Sequence, residues 1–186
     1  MNIAITNGLL LSPPAFRAGL GVWSRTDGSS GSPTWDQAAN ASLVPADQDF
    51  GACLEIVKQQ TTTSIRFMGE TPMIPGVYLR VSARVKIVAG ALASVRIAGR
   101  AGDGSRNTVP GLVTTGTTVA LRNYGEVVEV SAIVGIGNRA GVDMPWGTVP
   151  IFGNFGLDLV GANGGAFRIE SIRIDDVTAA FVPSLL

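Results

Sequence analysis

The sequence predicts an all-β fold, an antiparallel two-sheet β-sandwich of the jelly-roll type. Apolar and polar residues alternate with a period of two along several segments, which is the pattern of strands with one buried face. The chain contains 24 glycines and 10 prolines, a composition that favours short strands joined by turns. We find no convincing helical period and no internal repeat. The segments that have a strand pattern number about ten, so about ten strands are expected.

The amino-terminal part contains two short strand candidates, residues 2–11 and residues 20–24. A pair of prolines ends the first candidate. Residues 26–40 are rich in Gly, Ser and Pro, so they are expected to form a surface loop with Trp35 in its middle.

Residues 50–56 and 61–68 are expected to pair as a β-hairpin. Both segments alternate, with Leu54 inward in the first and Ile65 inward in the second, and a polar turn separates them. Two alternating runs joined by a short polar turn are typical of a hairpin.

The clearest strand is residues 78–87, where one face is entirely apolar. The inward side chains are expected to be Leu79, Val81, Ala83, Val85 and Ile87. Residues 91–98 repeat the alternation more weakly, and residues 99–116 predict a long loop.

The carboxy-terminal half continues in the same way. Residues 117–121 and 126–134 are expected to be strands, and residues 138–153 are expected to be a loop. Residues 155–160 are expected to pair, across a glycine-rich turn, with residues 167–177.

Residues 167–177 change the parity of their apolar positions, and the rest of the sandwich is expected to be organised around them. Phe167 and Ile169 alternate with polar residues, and then Ile172 and Ile174 take over at the opposite parity. An ordinary strand would turn its core face outward at that point, so a β-bulge is expected at about Ser171. The strand is expected to return beside the beginning of the chain. Residues 1–178 are expected to form one domain. Residues 179–186 are expected to be an apolar tail that either packs back on its own sandwich or contacts another copy or a partner, and the second is favoured.

The composition excludes several classes of function. Lys and Arg number 14 and Asp and Glu number 14, so the chain lacks the positive surplus that binds nucleic acid or an anionic membrane. No apolar span is long enough for membrane insertion.

The absence of histidine removes Ser-His-Asp and Cys-His catalysis and every His-ligated metal site. The single cysteine, Cys53, excludes an intrachain disulfide. No basic region precedes an apolar run at the amino terminus, so no secretory signal is expected and assembly is expected in the cytoplasm.

Three segments resemble jelly-roll carbohydrate-binding modules of the kind attached to xylanases. They are YLRVSARVK at residues 78–86, EVVEVSA at residues 126–132 and IDDV at residues 174–177. The resemblance implies a glycan-binding role. It also implies that Asp176 could bind a structural calcium ion, together with Asp47 or Asp49, although no cofactor is expected to be required. The alternative is that Asp175 or Asp176 makes turn or cross-strand hydrogen bonds.

A narrower resemblance starts at Met1. Residues 1–9 (MNIAITNGL), 45–51 (PADQDFG) and 68–72 (MGETP) are similar to the head-spike fibre proteins of gene transfer agents, which are phage-like particles. The resemblance implies a spike component on the particle surface. Its expected partners are other copies of itself, a spike-base or capsid protein, and cell-surface polysaccharide.

Sugar recognition usually needs a flat aromatic ring with polar groups beside it. Trp35, Tyr124 and Trp146 are the candidates, with Asp143 as a polar neighbour. The alternative for each aromatic residue is that it caps the core or fills a subunit contact. In the carbohydrate-binding family the concave sheet face often carries aromatic residues. Here that face is expected to carry arginines, namely Arg80, Arg84 and Arg96, which would suit an acidic polysaccharide. The alternative, which we favour, is that these arginines form a solvated strand face.

No catalytic site is expected. Asp175 and Asp176 are adjacent in a strand and point to opposite faces, so they cannot flank one glycosidic bond. The favoured hypothesis is a non-enzymatic spike protein of a phage-like particle that adheres to capsular polysaccharide. The alternatives are a stand-alone carbohydrate-binding module and, least favoured, a polysaccharide-degrading enzyme.

Overall fold

The structure is a computed structural model, and its description covers ten stretches of the chain. These are residues 8–11, 23–26, 41–51, 53–57, 62–67, 71–90, 93–105, 107–135, 140–161 and 164–181. For residues 8–11, 23–26, 41–43, 62–67, 93 and 161 the description is limited to the backbone. The predictions for residues 1–7, for Trp35 and for residues 182–186 lie outside the described residues.

In the described part of the chain, thirteen strands and one short helix follow one another. In chain order they are β1 (Gly8–Leu11), β2 (Trp23–Thr26), β3 (Ala41–Val44), β4 (Cys53–Val57), β5 (Thr62–Phe67), β6 (Thr71–Pro72), β7 (Tyr78–Ala89), β8 (Ala93–Gly102), β9 (Val119–Leu121), β10 (Val127–Gly135), β11 (Met144–Pro145), β12 (Phe152–Gly161), β13 (Ala166–Asp176) and α1 (Thr178–Phe181).

The strands form two sheets. Sheet A has the order β11-β10-β7-β13-β4-β3, with β1 beside β13, and sheet B has the order β2-β5-β12-β8-β9, with β6 beside β12. The described strand pairs are antiparallel except the short parallel pair of β10 and β11. The predicted all-β, antiparallel two-sheet sandwich is therefore confirmed.

The core lies between the two sheets, and β7 shows best how the sequence builds it. Its five predicted inward residues, Leu79, Val81, Ala83, Val85 and Ile87, are all buried. The facing strands of sheet B contribute Val95 and Ile97 from β8, and Leu157 and Leu159 from β12. Because side chains alternate along a strand, the intervening positions of β7, β8 and β12 lie on the outer faces of the sheets.

The parity change in β13 is produced by a β-bulge, as predicted. Ile169 lies opposite Val85 of β7, whereas Ser171 lies opposite Arg84, so Glu170 is the extra residue. The insertion returns Ile172 to the core after the register shift. The expected return beside the start of the chain is also confirmed, since Gly8 of β1 pairs with Ile174.

Two expected hairpins are wrong. Strand β4 pairs with β3 and β13 in sheet A, whereas β5 pairs with β2 and β12 in sheet B. Strands β12 and β13 are likewise consecutive in sequence but belong to different sheets. A turn that crosses from one sheet to the other leaves the same alternating pattern as a hairpin, so the sequence does not separate the two connections. Strand β8 also continues to Gly102, into the segment expected to be a loop.

The single-turn helix α1 begins the predicted tail. The hydroxyl oxygen of Thr178 accepts a hydrogen bond from the Tyr78 amide at 2.9 Å. The ring of Phe181 stacks on the ring of Tyr78, with centroids 4.8 Å apart. The described part of the tail thus packs against its own sandwich. Among the described residues, no helix has the length and apolar character needed to span a membrane.

Candidate functional site

The described residues that were expected to bind sugar, namely Tyr124, Trp146 and Asp143, are not brought together. Tyr124 lies in the turn before β10, where the next amide, that of Gly125, donates to the carbonyl of Ile87. Asp143 lies at the other end of β10, and its carboxylate accepts a hydrogen bond from the Ile133 amide at 2.7 Å. The eight residue steps of β10 span about 27 Å in an extended strand. Tyr124 therefore cannot share a sugar with Asp143 or with Trp146, which follows β11.

Trp146 is a core residue, and its predicted role in sugar binding is wrong. Its side chain is fully buried and stacks on Phe155, with ring centroids 5.3 Å apart. Its indole N–H donates to the carbonyl of Val113 at 2.9 Å. The alternative named for each aromatic residue, that it caps the core, is what the structure shows for Trp146. Tyr124 is 62% exposed, so its availability to a ligand stays a prediction.

The residues present do not fit a shared calcium site. Asp176 lies opposite Leu79 in β7 and its carboxylate accepts the Thr178 amide, whereas Asp47 contacts Lys86. The seven residue steps from Leu79 to Lys86 correspond to about 23 Å, so Asp176 cannot coordinate an ion together with Asp47. Within the described stretches, no group of three or more acidic, Cys or His side chains could hold a metal ion.

The three arginines expected on one face lie on two. Arg80 and Arg84 alternate with core residues of β7 and lie on the outer face of sheet A, while Arg96 lies on the outer face of sheet B. The sequence showed that each arginine is outward-facing, but it did not show which sheet each strand joins. The two outer faces are therefore separate surfaces.

Part of the outer face of sheet A is covered by residues 45–51. The carboxylate of Asp47 accepts from the ammonium group of Lys86 at 2.8 Å and from the guanidinium of Arg168 at 2.9 Å. Arg168 also contacts Glu55 at 2.8 Å. The hydrogen bond from Lys86 holds the pKa of Asp47 below its ordinary value, and the bond to Glu55 raises the pKa of Arg168. This ion-pair network fastens the segment to the sheet.

Phe50 completes that attachment. Its ring is buried, and the cationic groups of Arg84 and Lys86 lie 5.6 Å and 5.8 Å from its centroid. Glu170, the bulge residue, pairs with Arg84 and accepts the Gly51 amide at 2.9 Å. These contacts fill the space above the sheet, so this half of the face has a structural role.

The outer face of sheet B carries a polar strip of which the sequence singled out only Arg96. We define the sheet B strip as Arg96, Arg100, Asn154 and Asp158. Asp158 of β12 lies opposite Arg96 of β8, and the guanidinium donates to the carboxylate at 3.1 Å. The side chain of Asp158 is only 6% exposed, whereas that of Arg96 is 33% exposed. Burying a carboxylate costs free energy unless it is paired, so the ion pair with Arg96 fixes the position of the Asp158 side chain.

An aromatic ring lies at the end of the sheet B strip. Phe152 shares the outward parity of Asn154 and Asp158 on β12 and lies opposite Gly102 of β8. A Cβ at Gly102 would come within 2.0 Å of the Phe152 ring. The ring therefore occupies the space that a side chain at position 102 would take, and it remains partly exposed.

This arrangement suits polyhydroxylated ligands. Carboxylate and carboxamide oxygens accept hydrogen bonds from hydroxyls, guanidinium groups donate to them, and an aromatic ring contacts the apolar face of a sugar. The distance from Phe152 to Asp158, six residue steps along β12, is about 20 Å. One sequence signal could have found it: Asp158 is a single charge among Phe155, Leu157 and Leu159.

Comparison with known proteins supports the fold. No protein-family model matches the sequence, and no curated protein does. The chain is similar to the xylan-binding CBM22-1 domain of Paenibacillus barcinonensis Xyn10C, with a TM-score of 0.54, 12% identity, and coverage of 94% of this chain and 97% of that domain. It is also similar to the CBM22-1-CBM22-2 tandem domain of the same enzyme, with a TM-score of 0.60, 12% identity, and coverage of 95% and 47%.

A phage protein shares the architecture as well. The enzymatically active domain of tailspike protein 4 from bacteriophage CBA120 has a TM-score of 0.51 and 11% identity. The match covers 86% of this chain but only 20% of the tailspike chain, so this chain spans about a fifth of that protein. At these identities the likeness establishes the fold, which is the jelly-roll sandwich of carbohydrate-binding modules.

Proposed function

We propose that this chain binds polysaccharide through the sheet B strip and Phe152. The observation that carries the proposal is the placement of the Phe152 ring over Gly102, in line with Asn154 and the buried Asp158. An aromatic ring followed by hydrogen-bonding groups on one sheet face is the combination that sugar recognition requires. The likeness to a xylan-binding domain over nearly the whole chain supports the same role.

We further propose that the chain is a spike component on the surface of a phage-like particle, assembled in the bacterial cytoplasm, that adheres to capsular polysaccharide. The similarity of residues 1–9, 45–51 and 68–72 to gene transfer agent head-spike fibres supports this role, and so does the likeness to a tailspike domain. Several copies on one particle would convert weak contacts into firm attachment, raising avidity by about 10²–10⁴.

The glycan contact is tested by affinity electrophoresis of the purified chain through gels that contain bacterial capsular polysaccharide. The wild-type chain is expected to be retarded, and Phe152→Ala and Asp158→Asn are each expected to weaken retention about tenfold. Glu126→Gln, which alters an exposed carboxylate in the turn before β10 and outside the strip, serves as the matched control and should migrate like the wild type. Equal retention of all four proteins would place the sugar contact elsewhere.

The particle role is tested by sedimentation and by cell binding. A spike component should co-sediment with capsids as a defined oligomer, and its removal should abolish capsule-dependent particle binding. A stand-alone carbohydrate-binding module, which the near-complete overlap with a single xylan-binding domain also favours, should remain monomeric and bind glycan unaided. Co-sedimentation without any effect on cell binding would make the chain a structural mount.

The chain is proposed to act without catalysis. Asp175 pairs with Arg173 at 3.3 Å, and Asp176 accepts the Thr178 amide, so these adjacent acids are engaged separately. Incubation with the bound polysaccharide should release no reducing ends. Release that is lost in a single Asp or Glu variant would instead identify an enzyme.

A further inference from the structure

We propose that the open half of sheet A's outer face is a second glycan contact, selective for a carboxylate carried on a polysaccharide. The proposed site comprises Arg80 and Ser82 of β7, Ser131 of β10 and Arg173 of β13, and we call it the sheet A patch. It rests on the proposed function only in taking a polysaccharide as the ligand. The sheet B strip lies on the opposite outer face, so one chain would contact glycan on two sides.

Ser82 is the centre of the sheet A patch. Its backbone lies opposite Ser131 on one side and Arg173 on the other, in a single row across three strands. The residue is only 6% exposed, although it lies on the outer face of the sheet. Within the described residues, no group forms a hydrogen bond with its hydroxyl. Buried hydroxyls normally have a partner, so this one is poised for a group supplied from outside.

Arg80 supplies the positive charge. It lies two residues from Ser82 on the same face of β7, about 7 Å along the strand, and it is exposed. Asp175 lies opposite Arg80 in the ladder but contacts Arg173 instead, at 3.3 Å. Among the described residues, Arg80 therefore has no ion pair.

The acidic groups around Arg80 are engaged by other groups, beginning with Asp175, which is paired with Arg173. Glu170 is paired with Arg84, and Asp143 accepts the amide of Ile133. Glu129 lies in the next row, opposite Arg84 rather than opposite Ser82. One guanidinium with two hydroxyls beside it is a suitable set of donors for a carboxylate, which binds arginine through charge-assisted hydrogen bonds.

A polymer-borne carboxylate fits better than a free one. The row from Ser131 to Arg173 spans three strands, about 10 Å, and it presents hydrogen-bonding groups on both sides of Ser82. A free acid would use Arg80 alone, whereas a sugar chain would also place hydroxyls against Ser131 and Arg173. The expected ligand class is therefore a polysaccharide containing uronic acids.

The test is calorimetric titration of the full chain with trigalacturonic acid, its methyl ester and free galacturonate. The trisaccharide acid should bind at least about fivefold more tightly than either of the other two. Arg80→Ala and Ser82→Ala should each weaken that binding by about fivefold to tenfold. Ser82→Ala should leave the melting temperature unchanged, since no described residue forms a hydrogen bond with its hydroxyl. Arg122→Ala, an exposed arginine in the turn after β9, is the matched control and should bind normally.

Three results would overturn the proposal. These are equal affinity for the acid and the ester, an equal loss in the Arg122→Ala control, or no detectable binding of the acid. Loss of acid binding in Asp158→Asn with retention in Arg80→Ala would assign the carboxylate to the sheet B strip instead. Failure of the proposed function is distinguishable, because it would appear as unchanged capsule retention in the strip variants.

Discussion

Trp146 lies against Phe155 inside the sandwich, with their ring planes 9° from parallel. Phe155 belongs to β12, while Trp146 follows β11 of the other sheet, so the contact joins the two sheets through their largest buried side chains. The indole N–H also reaches the carbonyl of Val113. The tryptophan thereby fixes the loop after β11 to the segment that follows β8.

Replacing Trp146 should therefore destabilise the fold without removing a sugar contact. Trp146→Ala should lower the free energy of unfolding by about 3–5 kcal/mol, because a large cavity opens and the Val113 carbonyl loses its donor. Urea denaturation measures the change. Tyr124→Ala is the aromatic control and should cost less than about 0.5 kcal/mol, since Tyr124 is exposed. Comparable losses in the two variants would contradict the burial of Trp146.

Gly102 is needed because the Phe152 ring occupies the space above it. Gly102→Ala should force the ring to move and cost about 1–3 kcal/mol, as overpacked sites do. Capsule retention should fall together with stability. Gly104→Ala is a close control, because its Cβ would meet Ile151 at 3.6 Å, an ordinary contact. Retention that survives in Gly102→Ala would argue against a role for Phe152 in binding.

Cys53 should be unreactive while the protein is folded. The residue is buried, and burial raises the pKa of its thiol to about 11. Because the thiolate is the reactive form, labelling with a thiol reagent at about pH 8 should require unfolding. The same reaction in guanidinium chloride supplies the control. Rapid stoichiometric labelling of the native chain would show that β4 is not covered as described.

The sequence predicted correctly which side chains of a strand face the core, because this depends on the alternation within that strand alone. The alternation in β7 and the parity change at Glu170 follow from local sequence, and both are confirmed. The partner of each strand is not encoded locally. Strands β4 and β5 therefore appeared to be a hairpin although they lie in different sheets.

The candidate site was less predictable for a related reason. Trp146 was a candidate for sugar binding because its segment was expected to be a loop, but Phe155 of β12 stacks on it and the residue is buried. Phe152 and Gly102 meet only because β12 and β8 pair at that register, and Asp158 meets Arg96 for the same reason. These contacts depend on long-range pairing, which alternation alone does not specify.

The stability of the chain should fall in acid, partly through Asp47. Lys86 donates to its carboxylate and holds the pKa of Asp47 below the ordinary value of 3.8. A carboxyl group whose pKa is depressed by folding stabilises the folded state fully above the unfolded value, and this stabilisation is lost as the pH falls through the folded value. Urea unfolding should show the loss below pH 3.8.

Asp47→Asn isolates that contribution from the other carboxyl groups. The variant should be less stable than the wild type at neutral pH, because Lys86 and Arg168 lose their shared acceptor charge. The difference between the two proteins should shrink as the pH falls below 3.8, since the wild-type carboxylate is then protonated as well. A difference that stays constant down to the lowest pH would mean that Asp47 holds residues 45–51 through its shape and not through its charge.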